Sequence, residues 1–259
     1  MRKTFAITIL FLSVLACNFN PRGEPATPTS SPPTAPSTPV VVTVTPTLTL
    51  IATVTAPAAI TFTPTRPAQV SVIYREDFSN KASNWVTGSN ETASSDYLNG
   101  EYSLKMKRAN WQTWSIAPDN KIHSNIYVEV TAKEVSADKE AYPSFGLICN
   151  FKDSSNFVFA SITKSGYYII AQKSNGEFKI LSDLNNKWIL SKDIGINSSS
   201  YRLGADCTPN AITFYVDSKR IHTVSGTTFT GGSVGIFVEN YEKTNVEVRF
   251  DDFAITQLR

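Results

Sequence analysis

From residue 71 onward, apolar and polar residues alternate with a period of two, the pattern of strands that bury one face. Ile126 to Val135 reads Ile-Tyr-Val-Glu-Val-Thr-Ala-Lys-Glu-Val, one apolar face and one polar face. Similar runs cover 156–162, 167–172, 201–207, 211–216 and 233–238. Between the runs stand turn-forming pairs: Asn99-Gly100, Ser165-Gly166, Asn175-Gly176, Asp217-Ser218 and Gly231-Gly232. No window of about ten residues shows a helical period. About a dozen antiparallel strands with turn signals every 8 to 12 residues predict an all-β fold over 71–259, a sandwich or jelly roll.

The first 70 residues have a different character. Met1 to Cys17 reads MRKTFAITILFLSVLAC, two basic residues and then an apolar run too short for the roughly 20 residues of a membrane span. Its end, Val14-Leu15-Ala16-Cys17, resembles the lipobox of bacterial lipoproteins, although Leu15 is bulkier than the usual Ala or Ser. The resemblance implies cleavage before Cys17, acylation of its sulfur, and a domain facing the extracytoplasmic side of a bacterial membrane. Two or three acyl chains hold a protein firmly where one is marginal. Residues 18–70 contain 11 of the 14 prolines and 13 threonines, with Arg22, Glu24 and Arg66 as their only charges. Pro46 and Pro57 interrupt the strand-like Val40 to Thr55, so 18–70 reads as a disordered Thr/Pro-rich linker. Extended as polyproline II, it would reach at most roughly 160 Å.

Charge excludes some partners. Twenty-four Lys and Arg against 22 Asp and Glu leave a formal +2, and Arg2 and Lys3 depart with the signal peptide. Such a balance suits neither a nucleic-acid clamp nor a polybasic membrane surface. A near-neutral, aromatic-rich domain suits an uncharged polymer better than a charged one. Once Cys17 is assigned to the anchor, Cys149 and Cys207 remain, both in strand patterns of an exported chain. A disulfide between them is expected, with two separate buried thiols as the alternative.

Several segments then carry a resemblance. Glu76-Asp77-Phe78-Ser79 with Trp85 opens the domain, and Tyr97 to Tyr102 forms a short hairpin. Phe145-Gly-Leu-Ile-Cys149, Asn156-Phe-Val-Phe159, Trp188, Phe214-Tyr-Val-Asp217, Gly231-Gly-Ser-Val-Gly235 and Val248-Arg-Phe-Asp-Asp-Phe253 follow in order. The order resembles the concanavalin A-like lectin/glucanase domains (laminin G-like jelly rolls) of bacterial surface lipoproteins and other exported proteins. The resemblance implies two antiparallel sheets of six or seven strands, with first and last strands adjacent. It also implies core positions for Trp85 and Trp188. Members of that superfamily bind glycans, hydrolyse them or adhere, and a shared fold does not choose among these.

The search for chemistry is mostly negative. Laminarinase-type members carry their carboxylates on one strand as Glu-x-Asp-x-Glu, for hydrolysis by paired acids. The nearest string here, Glu134-Val-Ser-Ala-Asp138-Lys-Glu140, has the wrong spacing. No Gly-x-Ser-x-Gly elbow, Cys-x-x-Cys pair or glycine-rich phosphate loop is present. His123 and His222 read as strand-surface residues. Glu76, Asp77, Asp251 and Asp252 come from the strands that the resemblance makes neighbours. They are candidates for a structural calcium, with solvated edge charge as the favoured alternative. No other cofactor is expected.

The aromatic residues are the binding candidates, because flat rings match the C–H faces of sugars at little entropic cost. Trp111 and Trp114 stand three apart, so on a strand they point to opposite faces and at most one is core. Tyr142 and Tyr241 stand in loop-like surroundings, and Tyr127 shares a polar strand face with Glu129 and Thr131. The expectation is a monomeric, non-catalytic, lipid-anchored surface protein whose sandwich binds a glycan. The competing readings are a glycoside hydrolase with loop-borne carboxylates and a protein-interaction or envelope-scaffold module.

Overall fold

The computed structural model describes residues 71–136, 138 and 142–258. The signal with Cys17, the 18–70 linker and Glu140 lie outside these residues. In chain order the strands are β1 (Ser71–Glu76), β2 (Gly88–Ser89), β3 (Ala93–Leu98), β4 (Glu101–Met106), β5 (Trp111–Ile116), β6 (Ile126–Glu134), β7 (Ser144–Asp153) and β8 (Asn156–Thr163). They continue as β9 (Tyr167–Ser174), β10 (Glu177–Ile180), β11 (Ile189–Leu190), β12 (Tyr201–Cys207), β13 (Ala211–Val216), β14 (Lys219–Ser225), β15 (Ser233–Asn240) and β16 (Val246–Gln257). One three-residue 3-10 turn, Lys81–Ser83, accompanies them among the described residues.

Two antiparallel sheets face each other. One has nine strands in the order β14-β13-β12-β6-β16-β4-β3-β2, with β1 also on β16; the other has seven, β10-β9-β8-β7-β15-β5, with β11 on β9. The first and last strands are neighbours, and both sheets exceed or reach the upper size the resemblance implied because short pieces extend their edges. On one edge, β16 pairs with β4 through Val246–Phe250 and with β1 through Phe253–Gln257. A bulge between Asp251 and Ala254 separates the two halves. The extra residue flips the alternation. Val246, Val248 and Phe250 face the core before it, and Phe253 and Ile255 after it.

Tight turns do what their residues predict. Asn99-Gly100 joins β3 to β4 and Asn175-Gly176 joins β9 to β10, all four residues at positive φ, the requirement of a type I′ hairpin. Asp217-Ser218 takes the same left-handed form between β13 and β14. Gly231-Gly232 is different. It is not a hairpin turn but a crossing point, where Gly232 bridges to His123 and lies directly on the backbone of Asn150 and Phe151. A Cβ at Gly232 would overlap that backbone, so Gly232→Ala is expected to cost about 1–3 kcal/mol, seen as a lowered midpoint in urea. An unchanged midpoint would show that the segment shifts freely.

Cys149 on β7 and Cys207 on β12 form the expected disulfide, with Cα atoms 5.7 Å apart. Because these strands belong to opposite sheets, the bridge crosses the core. At one end the core closes on Phe78, Trp85, Tyr97, Tyr102 and Phe253, whose rings pack 5.0–6.1 Å apart. Phe78 holds a positive φ of 51°, and the Glu76 carboxylate accepts its backbone N–H at 2.6 Å.

Candidate functional site

Alternation gives the seven-stranded sheet a second apolar face, turned away from the core. On β15, Val234, Ile236 and Val238 point inward, so Gly235, Phe237 and Glu239 point out. Tyr241 continues on that side beyond the strand end. Across the sheet, Trp114, Phe237, Gly146, Ser161 and Ile169 stand in one row. Gln112, Glu239, Ser144 and Thr163 form the next.

This face curls inward. Strands β5 and β9 are four places apart, about 19 Å on a flat sheet. Yet the Lys173 Nζ of β9 lies 5.8 Å from the Trp114 ring of β5. Trp114 also comes within 5.5 Å of Phe157, and Phe159 stacks on Phe237 at 4.4 Å. Twist and coiling raise diagonally opposite corners of a sheet toward each other. Here they let long side chains meet over the middle. Beneath them Ile148, Phe157 and Phe237 are fully buried and form a second, smaller core.

Two openings lined by aromatic residues lie on the face among the described residues. A groove of about 440 Å³ is lined by Trp111, Gln112, Trp114, Lys173, Phe178 and Glu239, with Asn110 at its edge. A shallower cup of about 290 Å³ has four aromatic walls, Tyr142, Tyr167, Trp188 and Tyr241. Thr163 and Ser165 supply its hydroxyls, which hydrogen-bond each other at 2.9 Å. Trp188 and Tyr241 meet edge-on at 6.5 Å. Glu239 connects the openings, because Tyr241 Oη donates to its Oε2 at 3.0 Å and Ser144 Oγ reaches the same oxygen at 3.5 Å. Two polar atoms on the face, Gln112 Oε1 and the Oγ of buried Ser161, have no hydrogen-bond partner among the described residues.

Burial raises the Glu239 carboxyl above its ordinary 4.5, against the two hydrogen bonds that lower it. Burial also raises Tyr241, and the Glu239 charge adds to it. The fold therefore favours protonated Glu239. Its stabilising effect is complete below pH 4.5 and is lost as pH rises through the elevated value. Glu239→Gln is expected to melt like the parent below that pH and to gain on it toward neutrality. A pH-independent difference would contradict burial as the cause.

The candidate residues separate. Tyr142 and Tyr241 come together in the cup, and Trp111 and Trp114 both reach the groove. Trp111 does not point away as period two requires. It opens edge strand β5, after Asn110 at positive φ, where no strand lies beyond it and its ring lines the groove. Tyr127 is not a surface residue: it is 4% exposed, packed with Tyr215 and Leu258 on the far sheet. Trp188 is not in the core but walls the cup. His123 is buried, its Nε2 2.5 Å from Asp119 Oδ2, and half-buried His222 contacts the Tyr168 hydroxyl.

Glu76 at the end of β1, Asp77 just after it, and Asp251 and Asp252 of β16 are near one another in the fold. Asp251 is raised by burial first and then by Asp252, Glu101 and Asp77. Three of them already serve the local backbone: Glu76 the Phe78 amide, Asp77 that of Ser79, and Asp251 that of Asp252. Among the described residues, no three His, Cys, Asp or Glu side chains converge as a metal-binding group. Glu134 pairs with Lys164 and Asp138 with Lys243, both away from the groove lining.

Solved structures place this architecture. A carbohydrate-binding module, CBM66, from Bacillus subtilis superposes with a TM-score of 0.51 at 13% identity, covering 68% of this chain and 96% of its own. A galectin-like protein of unknown function from the same organism gives 0.54 at 13%, covering 75% and 100%. The fold is a concanavalin A-like jelly roll. A Bacillus licheniformis beta-glucanase gives 0.50 at 14%, covering 72% and 98%. No family model and no curated protein matches the sequence.

Proposed function

We propose that the domain binds a glycan on the curled face of its seven-stranded sheet, chiefly at the cup of Tyr142, Tyr167, Trp188 and Tyr241. The cup carries the reading. Four aromatic side chains surround two hydroxyls, the mixture of flat apolar area and sparse polar groups that suits a sugar ring. Two of the similar structures, a carbohydrate-binding module and a galectin-like protein, are consistent with it.

The proposal includes a non-catalytic role. Retaining hydrolysis needs two carboxyl groups about 5 Å apart; among the described residues the groove lining holds one, Glu239, and the cup lining none. It also includes a monomeric domain tethered through lipidated Cys17 and the 18–70 linker to the extracytoplasmic side of a bacterial membrane. A structural calcium held by Glu76, Asp77, Asp251 and Asp252 is a separate proposal. A melting curve unchanged by calcium or chelator would remove it.

The test is a glycan array probed with the full chain in mild detergent, followed by assay of bound glycans for new reducing ends. Binding without cleavage is expected. Cleavage would favour the glycosidase reading that the glucanase neighbour raises, and binding to none of the glycans would favour an interaction module.

A further inference from the structure

The larger groove differs from the cup in charge. Lys173 is half-buried there, with its ammonium 5.2 Å from the Phe178 ring centroid and 5.8 Å from those of Trp114 and Phe157. At the rim, the Arg108 guanidinium lies 5.1 Å from the Trp111 ring. Cations resting on aromatic faces are attracted to them, but rings supply no hydrogen-bond acceptor to replace lost water. Most other partly buried cations of this sheet sandwich have an acid: Lys133 has Glu101, Lys164 has Glu134, Arg202 has Glu129 and Arg249 has Glu247. Lys173 and Arg108 have no carboxylate within ion-pair distance among the described residues.

Glu239 lines the same groove, yet does not neutralise Lys173. Its Oε2 is occupied by Tyr241 and Ser144 on the side toward the cup. Burial disfavours its negative charge, and no ion pair joins it to Lys173 among the described residues. Gln112 Oε1, unpartnered in the same lining, offers an acceptor for a hydroxyl. The groove thus presents aromatic rings on two sides, an uncompensated ammonium and a free amide oxygen.

We propose that this groove is a subsite for a sugar unit bearing a carboxylate, with the ring against Trp111 and Trp114 and the carboxylate on Lys173. One ammonium matches one negative charge, and a charge-assisted hydrogen bond in a partly desolvated site is about twice as strong as a neutral one. The inference rests on the glycan-binding reading and adds to it a choice of ligand class, acidic rather than neutral. Near-neutral charge over the whole chain does not oppose this, because selectivity is set by the local groove.

The test compares acidic polysaccharides with their own carboxyl-reduced forms, in which each carboxylate has become a primary alcohol on an unchanged backbone. Galacturonan, alginate and glucuronoxylan form the acidic set. Binding of the full chain is measured by calorimetry in low and high salt. At least one acidic polymer is expected to bind about tenfold more tightly than its reduced form, about 1.4 kcal/mol, with the margin shrinking in salt. Lys173→Gln is expected to remove the margin and keep binding to the reduced form, while Lys173→Arg keeps the margin. Melting curves confirm that each variant is folded. Equal binding of acidic and reduced forms, or a margin that survives Lys173→Gln, overturns the acidic subsite and leaves the glycan reading standing. A folded chain that binds a neutral glycan on the array but neither of these sets overturns the acidic subsite alone, and one that binds nothing on the array or in either set overturns both.

Discussion

Replacing Cys149 and Cys207 together with alanine lowers stability by about 4 kcal/mol on the chain-entropy estimate for a loop of this length. The two residues are 58 apart in sequence, so the bridge restricts a long stretch of the unfolded chain. That stretch contains β8, β9 and β10 from one sheet and the connection into β12 of the other. Antiparallel neighbours hold each sheet together without the bridge, whereas sheet is held to sheet by side-chain packing, by side-chain hydrogen bonds such as Tyr102–Ser115 and Tyr168–His222, and by this one covalent bond. Both sulfurs are buried among apolar side chains, so alanine leaves no unpaired polar group; it leaves a small cavity that adds to the loss. Urea unfolding of parent and double variant, followed by far-UV dichroism, measures the difference. A loss under 1 kcal/mol would mean that core packing alone sets the distance between the sheets.

Trp188→Ala is expected to weaken glycan binding at least 30-fold, about 2 kcal/mol. Trp188 meets Tyr241 edge-on and packs against the second core below the cup, so its ring is held rigid before ligand arrives. A pre-set aromatic surface spends little entropy on binding. Truncation removes the wall facing Tyr142 and also loosens Tyr241. Tyr142→Ala provides the control: Tyr142 is 52% exposed, so its loss is expected to weaken binding with little change in melting temperature. If Trp188→Ala binds like the parent in a calorimetric titration, the cup is not the site.

The fold was legible because both its signals are local. Alternation placed β6, β8, β9, β12, β13 and β15 within one or two residues of their ends, and the Asn-Gly pairs marked two hairpins. Gly231-Gly232 misled because a glycine pair marks close backbone approach as readily as a turn. The acid-rich stretch of β16 was read without its bulge, which alternation cannot show.

The site was less legible because it is assembled from four or more strands. Tyr142 and Tyr241 were found as aromatics in loop-like surroundings, but Tyr167 and Trp188 join them only through the pairing of β9 with β11. Tyr127 failed for a related reason: sharing a strand face with Glu129 says nothing about Tyr215 two strands away. One signal was present. Phe145 to Cys149, Asn156 to Ile162 and Tyr167 to Ala171 are nearly continuous apolar runs, which mark strands buried on both faces. They pointed to the second core on which cup and groove are built. Lys173 and Glu239 carried no such mark, since their importance depends on which charges they lack.

The most direct test of the account is hydroxyl-radical footprinting of the full chain with and without a glycan identified on the array. The account predicts protection of Tyr142, Tyr167, Trp188 and Tyr241, with Trp111 and Phe178 also protected when the glycan is acidic. Protection confined to the nine-stranded sheet, or none on the curled face of the seven-stranded one, would contradict it.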